Sequence, residues 1–527
     1  MSSYALTHLN SKEFFAMNLK DLLVPLAFAL IVTAAFQYFF TPRNPDARLV
    51  ADRSFTAATT ARVAEPLDYS IDFSGKDSHR EKQITTVTTP TTRADFSNDG
   101  AILERLAYKR FLSGQETFME TIVPTGSKEQ GAFLVALNGI DSTPYYYDLV
   151  EHKTGDNTTV VSYKGESAVA TIIKQYTMYN DSYKIDLALT VMPKNQEHAV
   201  RPRLFLPGPA LLDTDGFDAL KGIVAKENKS LEKKALKDLQ LFGKEKPTLF
   251  GLEDRYFINA LIADPQGFAQ RAYFKIEGTQ RAESVYQADP ITQAATWNIS
   301  FYCGPKEVDA FALVDKRLDG SLDYGWLALF SKPLLYALNW LNKYLKNYGL
   351  AIIALTALLK LAMAPLTFKS EASRKQHAEL QRRLKYLEQK YKNDPEELTR
   401  AKAELMTKFG MSTILTPLAL FLQFPIFIGL NRVLSSSIEL YKAPFAWIPD
   451  LSASDPYYIL PVLVGVSMIM QFRTTQGNDP RQGVFTLVLA LLFAALTANM
   501  SAGLALFIAA STFFGLMQSW IVKAVKA

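Results

Sequence analysis

The stretch Gly349 to Phe368 reads GLAIIALTALLKLAMAPLTF, and the single charge inside it is Lys360. About 20 apolar residues span a bilayer core as one helix. Lys360 sits near the centre, too deep to snorkel easily to either interface. A charge there costs roughly 2.5–3.5 kcal/mol on insertion scales. A buried carboxylate would offset that cost, but no acid lies inside any long hydrophobic segment of the chain. Asp21 and Asp455 only flank such segments. Lys360 is therefore neutral, paired with a backbone carbonyl or a lipid phosphate, or facing water within the membrane. The last reading makes it a functional-site candidate. The plainer alternative is a structural lysine bonded to neighbouring helices.

The 527 residues, 48% hydrophobic, fall into two unlike parts. Residues 45–320 are polar and read as a soluble domain. Most long apolar runs follow residue 349, with one more near the N-terminus. The net charge of +5 is what the cytoplasmic loops of a membrane protein supply and gives no ground for nucleic-acid binding. One cysteine, Cys303, permits neither an internal disulfide nor a cysteine-based metal site. The five histidines (His8, His79, His152, His198, His377) lack metal-ligand spacing. No nucleotide-binding glycine motif, GxSxG or HExxH is present. These features point away from an enzyme and call for no cofactor, although paired carboxylates on the soluble domain stay open.

Six spans are expected. The first, Leu22 to Phe40, is long for a cleaved signal and lacks a small-x-small exit, so it reads as a signal anchor. The second carries Lys360. The third is Thr413 to Leu434 and the fourth Tyr457 to Phe472. Val484 to Val522 is roughly twice the length of one helix and must turn back, at Asn499-Met500-Ser501-Ala502-Gly503. Lys and Arg crowd the segment Lys369 to Lys408, which should be cytoplasmic, as should the loop with Arg473 and Arg481 and the tail with Lys523 and Lys526. The loop 435–456 is poor in basic residues and should be external. Both termini then lie inside and the large domain outside.

In that domain, Tyr183, Ile185, Leu187, Leu189 and Val191 alternate on one strand face, and Asn180-Asp181-Ser182 links them to strand 171–179. Residues 84–89, 158–163 and 296–302 are further strands, and the set suggests an antiparallel β-sandwich. A sandwich of this size can also host sugar-binding or sugar-modifying sites. Lys226 to Lys246 reads as a charged insertion, a solvated loop or helix. From Trp326 to Tyr348, apolar residues including Phe330, Leu334, Leu338, Leu341 and Leu345 form a helical stripe, with a break or kink at Pro333. That stripe is expected to lie on the outer membrane interface rather than in a core.

The segment between spans two and three reads as a helical hairpin. Leu380, Leu384, Leu387 and Tyr391 form one stripe; Leu398, Ala401, Leu405 and Phe409 form the other. Asn393-Asp394-Pro395-Glu396-Glu397 supplies a helix start. The charged outer faces are a solvated surface or a contact for anionic lipid or ribosomal RNA. The domain plan is thus residues 1–41 for the N-terminal segment and anchor, 42–66 for a linker and 67–320 for the β-sandwich. Residues 321–348 form an interfacial helix, and 349–527 a five-helix core with its hairpin at 369–411.

Several motifs in order resemble the YidC-type membrane protein insertases of Gram-negative bacteria. They are Asp323-Tyr324-Gly325-Trp326 with Ser331-Lys332-Pro333-Leu334, Pro365-Leu366-Thr367 and Gln423-Phe424-Pro425-Ile426-Phe427. Ala443-Pro444-Phe445, Asp450-Leu451-Ser452 and Asp455-Pro456-Tyr457-Tyr458-Ile459-Leu460-Pro461 continue the series, and Gly304-Pro305-Lys306 resembles the end of the external domain. The resemblance implies an inner-membrane insertase and chaperone for newly made membrane proteins, acting alone or with the Sec translocon, touching ribosomes through cytoplasmic loops. It implies five core helices around a groove open to cytoplasm and lipid and closed outside. Lys360 falls where the family usually has arginine. Thr356, one turn earlier, would help wet the groove, with Gln423 and Gln518 as weaker candidates. Phe507 falls where relatives place aromatics that touch substrate. The few residues after Trp520 exclude ribosome contact through a long tail. The alternative reading is a secondary transporter or channel using Lys360, which usually carries an internal repeat; none is visible.

Overall fold

The computed structural model describes residues 71–526 except 76–79, 113–114, 124–130, 139–141, 211–219, 227–229, 240–241, 278–280, 323, 325–327, 393, 410–411 and 476–479. The expected anchor at 22–40 and linker at 42–66 lie outside the described residues. The chain divides between Asp323 and Tyr324 into two compact units.

The first unit is built from antiparallel sheets. Nine strands pair in the order 231–235, 221–225, 250–253, 257–263, 295–305, 184–193, 170–179, 158–166 and 147–154. Five more pair in the order 243–245, 271–277, 281–287, 203–207 and 134–136. The two sheets pack face to face. Phe250 of the larger stacks on Phe274 of the smaller at 4.3 Å, and the Tyr286 hydroxyl donates to the Phe250 carbonyl at 2.7 Å. A four-stranded sheet, 84–122, adds to this β-sandwich. The alternation seen at 183–191 is realised: Ile185, Leu187, Leu189 and Val191 are buried and the residues between them are half-buried.

The charged segment 226–246 departs from expectation. It contains a strand at Leu231–Ala235, a short 3-10 turn at Leu236–Asp238 and a strand at Gly243–Glu245. The first is the outer strand of the nine-stranded sheet. Lysines on an edge strand discourage pairing with another chain, so a charged composition and a strand are compatible there. Lys233 is also tied inward, by an ion pair of 2.9 Å to the buried Glu253.

The second unit is helical: α2 (Ala328–Leu345), α3 (Tyr348–Lys390), α4 (Pro395–Phe409), α5 (Ser412–Ser436), α6 (Ile459–Thr475), α7 (Pro480–Ala498) and α8 (Ala502–Lys526), following a short α1 (Val308–Val314) in the first unit. Among the described residues, two segments are long and apolar enough to cross a bilayer, Tyr348–Leu366 in α3 and Ala502–Ile521 in α8. Shorter apolar segments are Ile459–Gln471 and Leu487–Ala498. The expected turn near Asn499 is present, between α7 and α8.

Two expectations about α2 fail. Pro333 is the sixth residue of the helix, past the four N–H groups that need no intrahelical partner, and the helix runs through it at the cost of one backbone hydrogen bond. Leu334, Leu338 and Leu341 do not face outward. They are buried, with Leu335, as α2 packs on α3 and α5. The exposed face instead carries Leu329, Tyr336, Trp340 and Tyr344, with the last two rings 5.1 Å apart. Both faces of α2 are thus apolar, and periodicity alone selected the wrong one.

The helical hairpin is present, but its first arm is the continuation of α3. Asp394 caps α4, its carboxylate accepting from the Glu397 N–H at 3.2 Å, and Lys402 bonds Glu388 across the hairpin at 2.8 Å. Leu380 is buried.

Candidate functional site

One end of the helical bundle is closed by the segment 437–458. Ile438, Leu440, Tyr441, Ala443, Ile448 and Leu451 within it are buried. Asp455 organises its exit. One carboxylate oxygen accepts from the Trp447 indole N–H at 3.2 Å and the Tyr457 N–H at 3.1 Å, and the other from the Leu460 N–H at 2.7 Å. The segment also binds the starts of two helices. The Gly503 N–H of α8 donates to the Leu451 carbonyl at 2.8 Å, and Ala502 donates to Ala453 at 2.6 Å. At the start of α3, a Cβ on Gly349 would overlap the Phe445 ring, so only glycine lets the two approach so closely. Asn347 caps this helix, its side chain accepting from the Leu350 N–H at 3.1 Å.

These contacts fix the levels of the helices. α3 and α8 both begin at the closed end and run in parallel, while α5 ends there. Ile352 of α3 approaches Gly503 of α8, and the rings of Phe427 and Phe507 are 6.4 Å apart. At a rise of about 1.5 Å per residue, Thr356, Phe427 and Phe507 share one layer. Lys360, Gln423 and Ser511 share the next, about 6 Å further from the closed end. Gln518 lies about 10 Å deeper still.

Lys360 is half-buried, and the described residues give it no hydrogen bond and no ion pair. Thr356 is buried and its hydroxyl donates to the Ile352 carbonyl at 2.7 Å, so its proton is used within its own helix. Gln423 is half-buried and Phe507 is buried. Gln518 is half-buried, and its amide nitrogen is enclosed without a hydrogen-bond partner among the described residues. The geometry therefore brings four sequence-derived candidates into two adjacent layers and leaves Gln518 apart. Two polar groups were not anticipated. Ser511 is buried in α8 at the Lys360 level, and Gln471 of α6 reaches the α8 backbone at Gly515. A glycine three residues before Gln518 was the available signal for that second contact.

Lys360 thus has no counter-charge among the described residues and lies in a helix long enough to cross a bilayer, below the closed end. The chain matches the family model described as 60Kd inner membrane protein over residues 340–527, and that described as YidC periplasmic domain over residues 84–337. It is 31% identical over 457 residues to the membrane protein insertase YidC of Geobacter sp. (strain M21), covering 80% of this chain and 82% of that one. Against the same protein of Geobacter metallireducens identity is 28% over 469 residues, covering 85% and 87%. Among solved structures, an active YidC insertase with its first transmembrane domain resolved aligns at 17% identity and a TM-score of 0.37, covering 85% of this chain and 94% of that one. The protein is thus one of the helical inner-membrane proteins that carry a periplasmic β domain. It belongs to the YidC family of membrane protein insertases.

Proposed function

We propose that this chain inserts newly made membrane proteins into the bacterial inner membrane, and assists their folding, through a hydrophilic groove at Lys360 that opens to the cytoplasm and to lipid. The observation that carries the reading is Lys360, without an ion pair among the described residues, two layers below a closed helical end. A new transmembrane segment with a short polar tail faces a barrier because the tail must cross hydrocarbon. A positive, hydrated half-channel shortens that path and attracts acidic tail residues, while the apolar segment slides into lipid. Hydrophobic partitioning drives the step and no nucleotide is needed. Phe507 and Phe427 supply an aromatic wall above the cation, and Gln423 and Gln518 add polar groups along the path.

In this reading six spans place both termini in the cytoplasm and the β domain in the periplasm, and residues 349–527 form the insertase core. The exposed face of α2, with Tyr336, Trp340 and Tyr344, suits the outer interface, where aromatic side chains concentrate. The basic hairpin of α3 and α4 faces the ribosome and anionic lipid. The partners are nascent membrane proteins, and the Sec translocon for larger clients.

Purified protein in liposomes tests the proposal, with a single-span substrate carrying a short acidic tail and protection of that tail from external protease as the readout. Protection by the wild type, lost in Lys360→Ala, is expected. Normal insertion of the same substrate by Lys360→Glu would sink the charge-attraction mechanism.

A further inference from the structure

The β unit contains a cavity of about 300 Å³ that insertion chemistry does not use, lined in part by Arg201, Glu245, Lys246, Arg271, Gln287 and Asp289. One rung of the five-stranded sheet forms its floor. Glu245 is paired with Arg271, Arg271 with Gln287, and Gln287 with Arg203 on successive strands. Directly paired residues project from the same face of a sheet, so this is a row of planar polar side chains. The face is the one turned away from the larger sheet, because Phe274 and Tyr286, on the alternate positions, are the residues that meet Phe250.

The charges around this cavity are not used by one another. Among the described residues the side chains of Arg201, Glu245, Lys246 and Asp289 make no hydrogen bond or ion pair, and Arg271 makes only a ring contact with Tyr273, at 5.9 Å. Glu245 and Arg271 stand opposite each other on paired strands without closing. Gln287 is only 8% exposed, yet its carbonyl oxygen has no donor among the described residues. A buried amide without partners costs about 1–3 kcal/mol. Lys246 holds a left-handed backbone, φ 44°, which a lysine adopts only when its surroundings enforce it.

We propose that this cavity binds a small oxyanion that also carries hydrogen-bond donors, a hydroxy- or amino-substituted carboxylate or phosphate. Arg201, Lys246 and Arg271 outnumber the acids and take the oxyanion; a planar guanidinium matches its paired oxygens. Glu245, Asp289 and the Gln287 carbonyl accept from the hydroxyl or amine hydrogens of the same molecule. A simple anion would leave those acceptors facing it unfavourably, and a neutral polyol would leave the cations without a counter-charge.

Calorimetric titration of the full-length protein in detergent tests this, with gluconate, glycerol phosphate and neutral glucose as probes. Saturable one-to-one binding of gluconate or glycerol phosphate is expected, and whichever binds assigns the oxyanion. Arg271→Ala should weaken it by about tenfold or more, the loss of a charge-assisted hydrogen bond. Thermal melting checks that this variant folds; if it does not, the exposed pair Arg201→Ala and Lys246→Ala carries the same test with the same expected loss. The proposal is overturned if neither anion saturates, if glucose binds as tightly as they do, or if the folded variants bind unchanged.

Discussion

The ammonium group of Lys174 lies 2.8 Å from the carbonyl oxygen of Phe133, and it donates also to Gly100 at 2.7 Å and Ala101 at 3.3 Å. All three acceptors belong to residues with left-handed backbones, φ 64°, 67° and 45°. Phe133 and Ala101 would not adopt that region unaided. Lys174 is fully buried, and its ammonium also lies 5.1 Å from the centre of the Tyr147 ring. It therefore acts as a pin holding three strained turns together. Lys174→Met should lower the unfolding free energy of the β unit by about 3 kcal/mol, since it strands buried carbonyls. Denaturant titration of the full chain, followed by tyrosine fluorescence, measures it.

The buried tyrosines set an alkaline limit. Burial pushes the phenols of Tyr108, Tyr147, Tyr176, Tyr286 and Tyr302 above their ordinary value of 10. A folded-state value raised above the unfolded one gives stability that is complete below pH 10 and lost above it, because the unfolded chain releases protons that the folded chain keeps. Each phenol removes about 1.4 kcal/mol per pH unit in that window. Burial pushes the Lys174 amine down, so its contribution has the opposite sign and grows with pH up to the unfolded value of 10.5. One amine does not offset five phenols. Melting temperatures of the β unit should fall steeply from about pH 10 upward, with phenolate absorbance rising only as the fold is lost.

Glu253 is 1% exposed and holds two lysines, Lys306 at 3.0 Å and Lys233 at 2.9 Å. Lys306 also donates to the Asp254 carbonyl, and Lys233 to that of Ser321, both at 2.6 Å. The triad thereby ties the last strand and the residues that follow it to the sheet. Glu253→Gln keeps the shape but leaves Lys306 buried beside a neutral amide, and should cost about 3–5 kcal/mol. Hydrogen exchange should then show early opening at 315–322, and protection there equal to wild type would refute the tie.

Asp455 joins Trp447, Tyr457 and Leu460 at the closed end of the helical unit. Asp455→Ala removes a helix cap and should lower stability by about 1–2 kcal/mol. In membranes, cysteines introduced at Ser452 or Ser454 should become more reactive to an impermeant maleimide added from the periplasmic side. Unchanged labelling would show that the seal does not depend on this carboxylate.

At the groove, Lys360→Arg should preserve insertion of acidic-tailed substrates within about twofold, because it keeps the charge, whereas Lys360→Gln should lose most of it. Equal rates for the two variants would mean that polarity alone suffices. The protease-protection assay with both variants distinguishes the cases.

The β-strand faces were legible because alternation has one meaning on a half-buried sheet: Ile185, Leu187, Leu189 and Val191 fell where period two put them. The turn at Asn499 and the cap at Asp394 were equally readable, since local chemistry decides them. Four features were hidden. The 231–235 strand is rich in lysine because it lies on an edge, which no local pattern announces. α2 has two apolar faces, and choosing between them needs the partners α3 and α5. Lys360 stood out as a lone charge, but its level relative to Gln423 and Phe507 depends on contacts of Gly503 and Phe427 distant in sequence. The polar row Glu245, Arg271, Gln287 and Arg203 comes from four strands and exists only as a register.

α3 runs from Tyr348 to Lys390, about 65 Å, and joins the closed end, the Lys360 level and the hairpin, with Pro365 inside the helix between the last two. A proline there removes one backbone hydrogen bond and lets the helix bend, so the hairpin and the Lys360 level are joined through a flexure rather than a rigid rod. Under the proposed function, a lipid surface or large particle docking on the hairpin would reach Lys360 only through that flexure. Pro365→Ala should then stiffen the joint and tighten the coupling between the two ends.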